Sequence, residues 1–374
     1  MTVQWLIIVA VFAGAAQILL FRRFALASLA YERRFSQRAV YAGERLELVE
    51  TIANRGRLPL PWVKLEAVFG SGLRFAGRSE MRVVAGQAFQ YHRSVFHLSP
   101  RLRITRRHAL IAAERGYHSL QPVSMTAGDL FGLARKTVDI RPHSELFVYP
   151  RALPIAEIPH PAHSFLGDIA VRRFILSDPF LTAGVRAYRP GDPLRSIHWG
   201  ATARTGSLQV RQEDFTADYR LMLYVNFECD EDMWEAVSRP ELVETALSYA
   251  SSIAAYASAQ GLAVGFGANA KLAGGEDERA CLDPAAGREH LETVLRAMAR
   301  LTMFVTRSFQ GFLAQEIERG VNGCDVLILT AFVSDVIGER MDGLRALGNA
   351  VDVLYVAAPG APAKEDPPAE GGGV

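Results

Sequence analysis

The chain has 374 residues, 49% hydrophobic and 22% charged, enough to bury cores for two domains. Lys and Arg number 41 against 40 Asp and Glu, and this net charge of +1 excludes a global pull toward nucleic acid. Cys229, Cys281 and Cys324 lack any C-x-x-C spacing, which excludes a disulfide scaffold and a cysteine-rich zinc site.

From Val3 to Phe21 only Gln4 and Gln17 are polar and nothing is charged. At about 1.5 Å per residue this run covers roughly 28 Å, close to the ~30 Å of a bilayer core. It predicts a transmembrane helix contacting lipid over residues 3–21. A cleaved signal peptide is the alternative, but it needs a basic segment before the apolar run. Here Arg22, Arg23, Arg33 and Arg34 all follow it. The positive-inside rule then gives a single-pass protein of the cytoplasmic membrane, N-terminus out, with its soluble region in the cytoplasm. Phe24–Ala30 is too short to span again.

Residues 36–150 read as a β-sandwich. Leu46, Leu48 and Ile52 alternate with Glu47 and Glu50, and Val63, Leu65, Ala67 and Phe69 keep the same period. Tyr91–Leu98 and Ala109–Ala113 offer further strands, separated by turn signals such as Ala42-Gly43 and Asn54-Arg55-Gly56. His92, His97 and His108 lie among Arg93, Arg101, Arg103, Arg106 and Arg107. A solvated strand face is the preferred reading there, with a phosphate-binding patch or a membrane-surface contact as alternatives.

Proline-rich, aperiodic sequence between Pro142 and Pro161 places a domain boundary near 145–165 and a linker over 151–183. Beyond residue 216 strands and helices alternate: strands at Arg220–Phe227, Leu262–Phe266, Asp325–Thr330 and Val351–Ala357. Helices are expected at Glu241–Gln260, His290–Leu301, Ser308–Arg319 and Val336–Leu347. Such alternation predicts a parallel sheet covered by helices. The expected organisation is an anchor with its juxtamembrane segment (1–35), a β-sandwich (36–150), a linker (151–183), an α/β domain (184–357) and a disordered tail (358–374).

The stretch from Gly184 to Gly206 stands apart. Pro190-Gly191 fits a type II turn, Asp192 an N-cap, and a helix is expected from there to about Arg204. Arg195 and Trp199 are four apart, so the guanidinium can lie on the indole. Capping does not explain five arginines, at 186, 189, 195, 204 and 211, in so short a span. Their planar forks suit a junction between domains or direct recognition of a partner or anion.

The string Arg186-x-Tyr188-x-Pro190-Gly191-Asp192-x-x-Arg195-x-Ile197-His198-Trp199, with Arg204 and Arg211 beyond it, closely resembles the signature of the bacterial domain of unknown function 58 family. Ala42-Gly43-Glu44, Asn54-Arg55-Gly56, Arg115-Gly116-Tyr117 and Asp129-Leu130-Phe131-Gly132-Leu133 resemble it too, although Gly200 stands where the family often has Lys. The resemblance implies a von Willebrand factor A-like (Rossmann-like) C-terminal domain. It also implies a partnership with a MoxR-type AAA+ ATPase or related envelope proteins.

A metal-dependent adhesion site needs Asp-x-Ser-x-Ser after the first strand. Asn226-Phe227-Glu228-Cys229-Asp230 replaces it, and Ala331 follows Thr330, so the site near Asn226, Glu228 and Asp230 is degenerate and no metal or cofactor is expected. Ser196 and His198 lie two apart on a helix and point apart, and neither a G-x-S-x-G, a P-loop nor a G-x-G-x-x-G is present. The expectation is a non-enzymatic interaction module whose contact residues are Arg186, Tyr188, Pro190, Gly191, Asp192, Arg195, His198, Trp199 and Arg204. A metal-dependent ligand-binding protein and a hydrolase-like enzyme are the alternatives.

Overall fold

The computed structural model describes residues 2–24, 28–70, 72–76, 82–85, 89–129, 134–159, 182–188, 197–213, 219–231, 236–274 and 280–357. They are mostly β-strand, in several sheets, and divide into two compact units, Met1–Arg151 and Ala152–Val374.

The first unit opens with helix α1 (Thr2–Phe24). Here the transmembrane expectation is overturned: among the described residues no helix is long and apolar enough to cross a membrane. Gln4 and Gln17 interrupt the apolar run of 3–21, and its longest unbroken stretch is 5–16. Phe21, near the helix end, packs against the β core.

Strands β1 (Leu29–Phe35), β2 (Ala39–Tyr41), β3 (Arg45–Asn54), β4 (Leu60–Gly70), β5 (Leu73–Phe75), β6 (Arg82–Ala85), β7 (Phe89–Leu98), β8 (Arg103–Ala112), β9 (Gly116–Ser119), β10 (Val123–Gly128), β11 (Arg135–Ile140) and β12 (Glu145–Tyr149) follow. They form a sheet β1-β3-β8-β5, a sheet β11-β10-β4-β7-β6 and a small sheet β2-β12-β9. Alternation decides the interior. Leu46, Leu48 and Ile52 of β3 and Leu110 of β8 meet Val63 and Leu65 of β4, Leu98 of β7 and Val123 of β10 in one core. Strand β12 lies within the stretch read as aperiodic linker. Its Leu146 and Val148 are fully buried, and it pairs parallel with β2 and antiparallel with β9.

Two polar side chains at strand ends act as turn clamps. Asn54 is buried; its Nδ2 donates to Leu58 O at 2.8 Å, and its Oδ1 accepts from Gly56 N at 3.0 Å. Asp129 Oδ1 accepts from Ala134 N at 3.0 Å, closing the loop whose residues 130–133 lie outside the described set. Such side-chain bonds satisfy backbone groups that the strand ladders leave open.

The second unit holds an antiparallel ribbon, β13 (Thr182–Ala187) with β14 (Gln209–Glu213), and helix α2 (Trp199–Thr205) between them in sequence. Then come β15 (Arg220–Val225), α3 (Pro240–Ala259), β16 (Ala263–Ala268), β17 (Ala270–Leu272), β18 (Cys281–Ala285), α4 (Arg288–Arg300), β19 (Leu301–Val305), α5 (Phe309–Glu318), β20 (Cys324–Thr330), α6 (Asp335–Ala346) and β21 (Ala350–Tyr355). The main sheet has the order β18-β16-β15-β20-β21 and is parallel except for β18. Helices α5 and α6 cover it through Phe309, Phe312, Leu313, Ile337, Met341 and Leu344. Gly267 lets them close in: a Cβ there would meet the rings of Phe312 and Tyr224 at 2.8 Å. Strands β17, β18 and β19 are additions to the expected elements.

Candidate functional site

Strand β15 is central and comes first of the main sheet. The chain passes through α3 to β16 on one side, then returns through α5 to β20 on the other. The C-terminal ends of β15 and β20 therefore flank a crevice, the usual ligand position in open α/β sheets. A shallow recess lies there, too small for more than about one water, lined by Asn226, Glu228, Cys229, Thr330 and Ala331 with residues of α3.

Its polar groups bond to one another. Asn226 is buried, and its Nδ2 donates to Thr330 Oγ1 at 3.0 Å while its Oδ1 accepts from Glu228 N at 2.9 Å. Thr330 Oγ1 donates in turn to Phe332 O at 2.7 Å. Glu228 Oε1 accepts from Phe309 N at 3.2 Å, and burial raises the carboxyl's pKa above the ordinary range. Asp230 points to Ser238 and Arg239, at 3.5 and 3.9 Å; Asp232 lies outside the described residues. Among the described residues no group of three or more His, Cys, Asp or Glu can hold a metal ion. Asn226 is thus a strut between the C-terminal ends of β15 and β20. Calorimetric titration of the chain with millimolar Mg²⁺ or Ca²⁺ should give no saturable heat. One-to-one binding in the micromolar range would refute this.

The signature is described in part: Arg189, Pro190, Gly191, Asp192, Arg195 and Ser196 lie outside the described residues, as do the side chains of Arg186 and Arg211. Arg186 pairs with Val210 across the ribbon, and Tyr188 N donates to Leu208 O at 2.9 Å. Ile197 and Val210 form an isolated bridge and are both buried. The described helix α2 runs from Trp199 to Thr205; residues 192–196, where the expected helix begins, lie outside the described residues. His198 is its N-cap, with Nδ1 accepting from Ala201 N at 3.0 Å. Nδ1 accepts, so the neutral ring carries its proton on Nε2. His198 N donates to Gln209 O at 2.8 Å, and Thr202 Oγ1 accepts from Gln209 N at 3.0 Å. Both stitch α2 to β14. Gly206, at φ 68°, ends the helix. His198 is thus the cap of α2. Arg204 is exposed in the last turn, and Trp199 is 68% exposed.

Two buried clusters follow; one holds His92 and His108 from the stretch read as a solvated strand face, where strand alternation buries His92, and the other was not singled out from sequence. On α5, Glu316 is fully buried and accepts from Tyr224 Oη at 3.1 Å and Arg319 Nη1 at 3.0 Å, with Cys281 Sγ at 3.5 Å. Arg319 also holds Asp283 at 2.7 Å. Burial and then Glu316 push the Cys281 thiol up to about 12, so it stays protonated and unreactive. The signal was available: Glu316 completes the stripe Phe309, Phe312, Leu313 at i, i+3, i+4 and i+7. The other cluster, around Glu50 and His92, lies in the first unit.

Comparison with known proteins gives a consistent but coarse placement. The chain is 24% identical over 276 residues to the "Uncharacterized protein YeaD" of Bacillus subtilis (strain 168), covering 74% of this chain and 63% of that one, so it spans less than two thirds of that relative. Among solved structures, a non-cellulosomal cohesin from Archaeoglobus fulgidus matches 32% of this chain and 90% of its own at 11% identity and TM-score 0.22. A cohesin module from a Clostridium perfringens family 33 glycoside hydrolase matches 31% and 98% at 7% identity and TM-score 0.21. Likeness at these scores fixes neither fold nor function. Residues 184–367, from the signature through the α/β sheet, match the family described as "Protein of unknown function DUF58".

Proposed function

We propose that the chain is a non-enzymatic protein-interaction module that works with a MoxR-type AAA+ ATPase. On this reading its α/β region serves as a von Willebrand factor A-like domain that engages its partner without a cation. The observation that carries the reading is Trp199. An indole inside the most specific string of the sequence stands 68% exposed, although α2 itself is stitched to the ribbon by His198 and Thr202. Val185 and Leu208 of the same segment are 46% and 43% exposed. Exposed aromatic and arginine side chains on a short, braced element are what a binding hot spot needs. With the purified ATPase from the same genome, the full chain should form a complex that Trp199→Ala weakens at least tenfold without lowering the melting temperature. Equal affinity of the variant would move the contact elsewhere, and no binding by the wild type in any nucleotide state would remove the partner.

A further inference from the structure

One end of the first unit's core is charged. Strand alternation turns Tyr31 and Arg33 of β1, Glu50 of β3, His92 and Ser94 of β7, and His108 of β8 inward. Arg33, Glu50, His92 and Ser94 are all at most 4% exposed. Tyr31 Oη donates to Glu50 Oε1 at 2.6 Å, and His108 Nε2 lies 3.7 Å from Glu50 Oε2. The Arg33 guanidinium sits over the Phe69 ring at 4.2 Å and reaches from one sheet to the other, with Nη2 3.3 Å from His92 Nδ1.

That contact fixes the histidine's protonation state. A guanidinium only donates, so Nδ1 must carry a lone pair, and the ring proton sits on Nε2, 3.3 Å from Ser94 Oγ. Phe75 stacks on the ring at 5.7 Å and Phe69 meets it edge-on at 6.1 Å, so water has no ready access to a new charge.

We propose that His92 is an acid-sensitive latch between the two large sheets of this unit: a proton on Nδ1 abolishes the Arg33 bond and sets two cations together in the core. Among the described residues, the charged and titratable groups facing the ring are Arg33 from β1, Glu50 from β3, and Arg106 and His108 from β8, with Tyr31 bonded to Glu50; β4 and β5 contribute Phe69 and Phe75. One carboxylate thus faces two guanidinium groups, and an added proton is disfavoured. Burial first, and Arg33 next, hold the His92 pKa down to about 4. With the folded value depressed below the unfolded one, the unfolded chain binds more protons between about pH 6.5 and pH 4. Stability from this group is complete above that window and is lost as the pH falls through it.

The test compares the full chain with His92→Gln, whose carbonyl still accepts from Arg33 and whose amide still donates to Ser94, but which cannot take up a proton. At pH 7 the two should melt within a few degrees of each other. At pH 4.5 the first unit of the variant should melt about 5–10 °C above that of the wild type. Equal acid losses in both proteins would overturn the latch. Should His92→Gln fail to fold, nuclear magnetic resonance of the native chain decides. Titration of the His92 ring near pH 4, with faster amide exchange in β7 as it protonates, supports the latch. A midpoint near 6.5 with unchanged exchange refutes it.

Discussion

Glu50→Ala is expected to destabilise the first unit by about 3–5 kcal/mol, the cost of removing one partner from a buried charged group. Glu50 is 1% exposed and Arg33 is 3% exposed, and they are directly opposed across β1 and β3. Without the carboxylate, the Arg33 guanidinium stays in the core with no compensating anion among the described neighbours of the cluster, and the Tyr31 hydroxyl loses its 2.6 Å acceptor. The contrast that tests the cause is the double variant Arg33→Met/Glu50→Leu. If charge desolvation is the origin, the double variant recovers most of the loss, because two apolar side chains of similar volume leave nothing unpaired. Urea unfolding followed through hydrogen exchange of the β1 and β3 amides measures both. A single variant within 1 kcal/mol of wild type, or a double variant worse than the single, would show that the carboxylate does not neutralise Arg33.

Glu316→Ala is expected to cost the second unit about 2–4 kcal/mol. The change leaves the Tyr224 hydroxyl without its 3.1 Å acceptor beneath the sheet, and each unmet buried polar group costs roughly 1–3 kcal/mol. Cys281 loses the same acceptor, whereas Arg319 keeps Asp283 at 2.7 Å and so adds little. Glu316→Gln retains a carbonyl acceptor for Tyr224 and should lose less than half as much. Adding Tyr224→Phe to Glu316→Ala should restore about 1 kcal/mol, since the stranded hydroxyl is then gone. Denaturation curves of these three variants and of Tyr224→Phe alone decide the matter. Strict additivity of the two substitutions would mean that the pair is not coupled.

How much was legible differs between the units for a physical reason. In the second unit, β15, α3, β20, α5 and α6 fall within a few residues of their expected places. Buried parallel strands are apolar on both faces, and the helices stop at glycines such as Gly320 and Gly348, both at positive φ. The short strands β17, β18 and β19 escaped because their residues make sense only beside a partner: β18 runs antiparallel on an otherwise parallel edge, and β17 pairs with β19. In the signature, α2 is capped by His198, a role the sequence did not suggest; Asp192, the cap read from sequence, lies outside the described residues. A histidine is a weaker cap by propensity, and the bond from its backbone N–H to Gln209 O, which fixes it in place, is a tertiary one.

The sequence by itself determined the β-then-α/β order of the chain, the turn at Asn54-Arg55-Gly56, and the match of residues 184–367. Each of these is local in the chain: a period, a turn, or a residue type at a fixed place. Only the tertiary structure decided which face of a charged strand is inside. Along β7 the residues Arg93 and His97 face solvent while His92 and Ser94 are buried, yet the periodicity is identical whichever side is called the core. Period 2 groups residues onto faces without saying which face another sheet will cover. That choice was made by Arg33, Glu50 and Phe69, which stand 59, 42 and 23 residues before His92 in the chain and within reach of it in the fold.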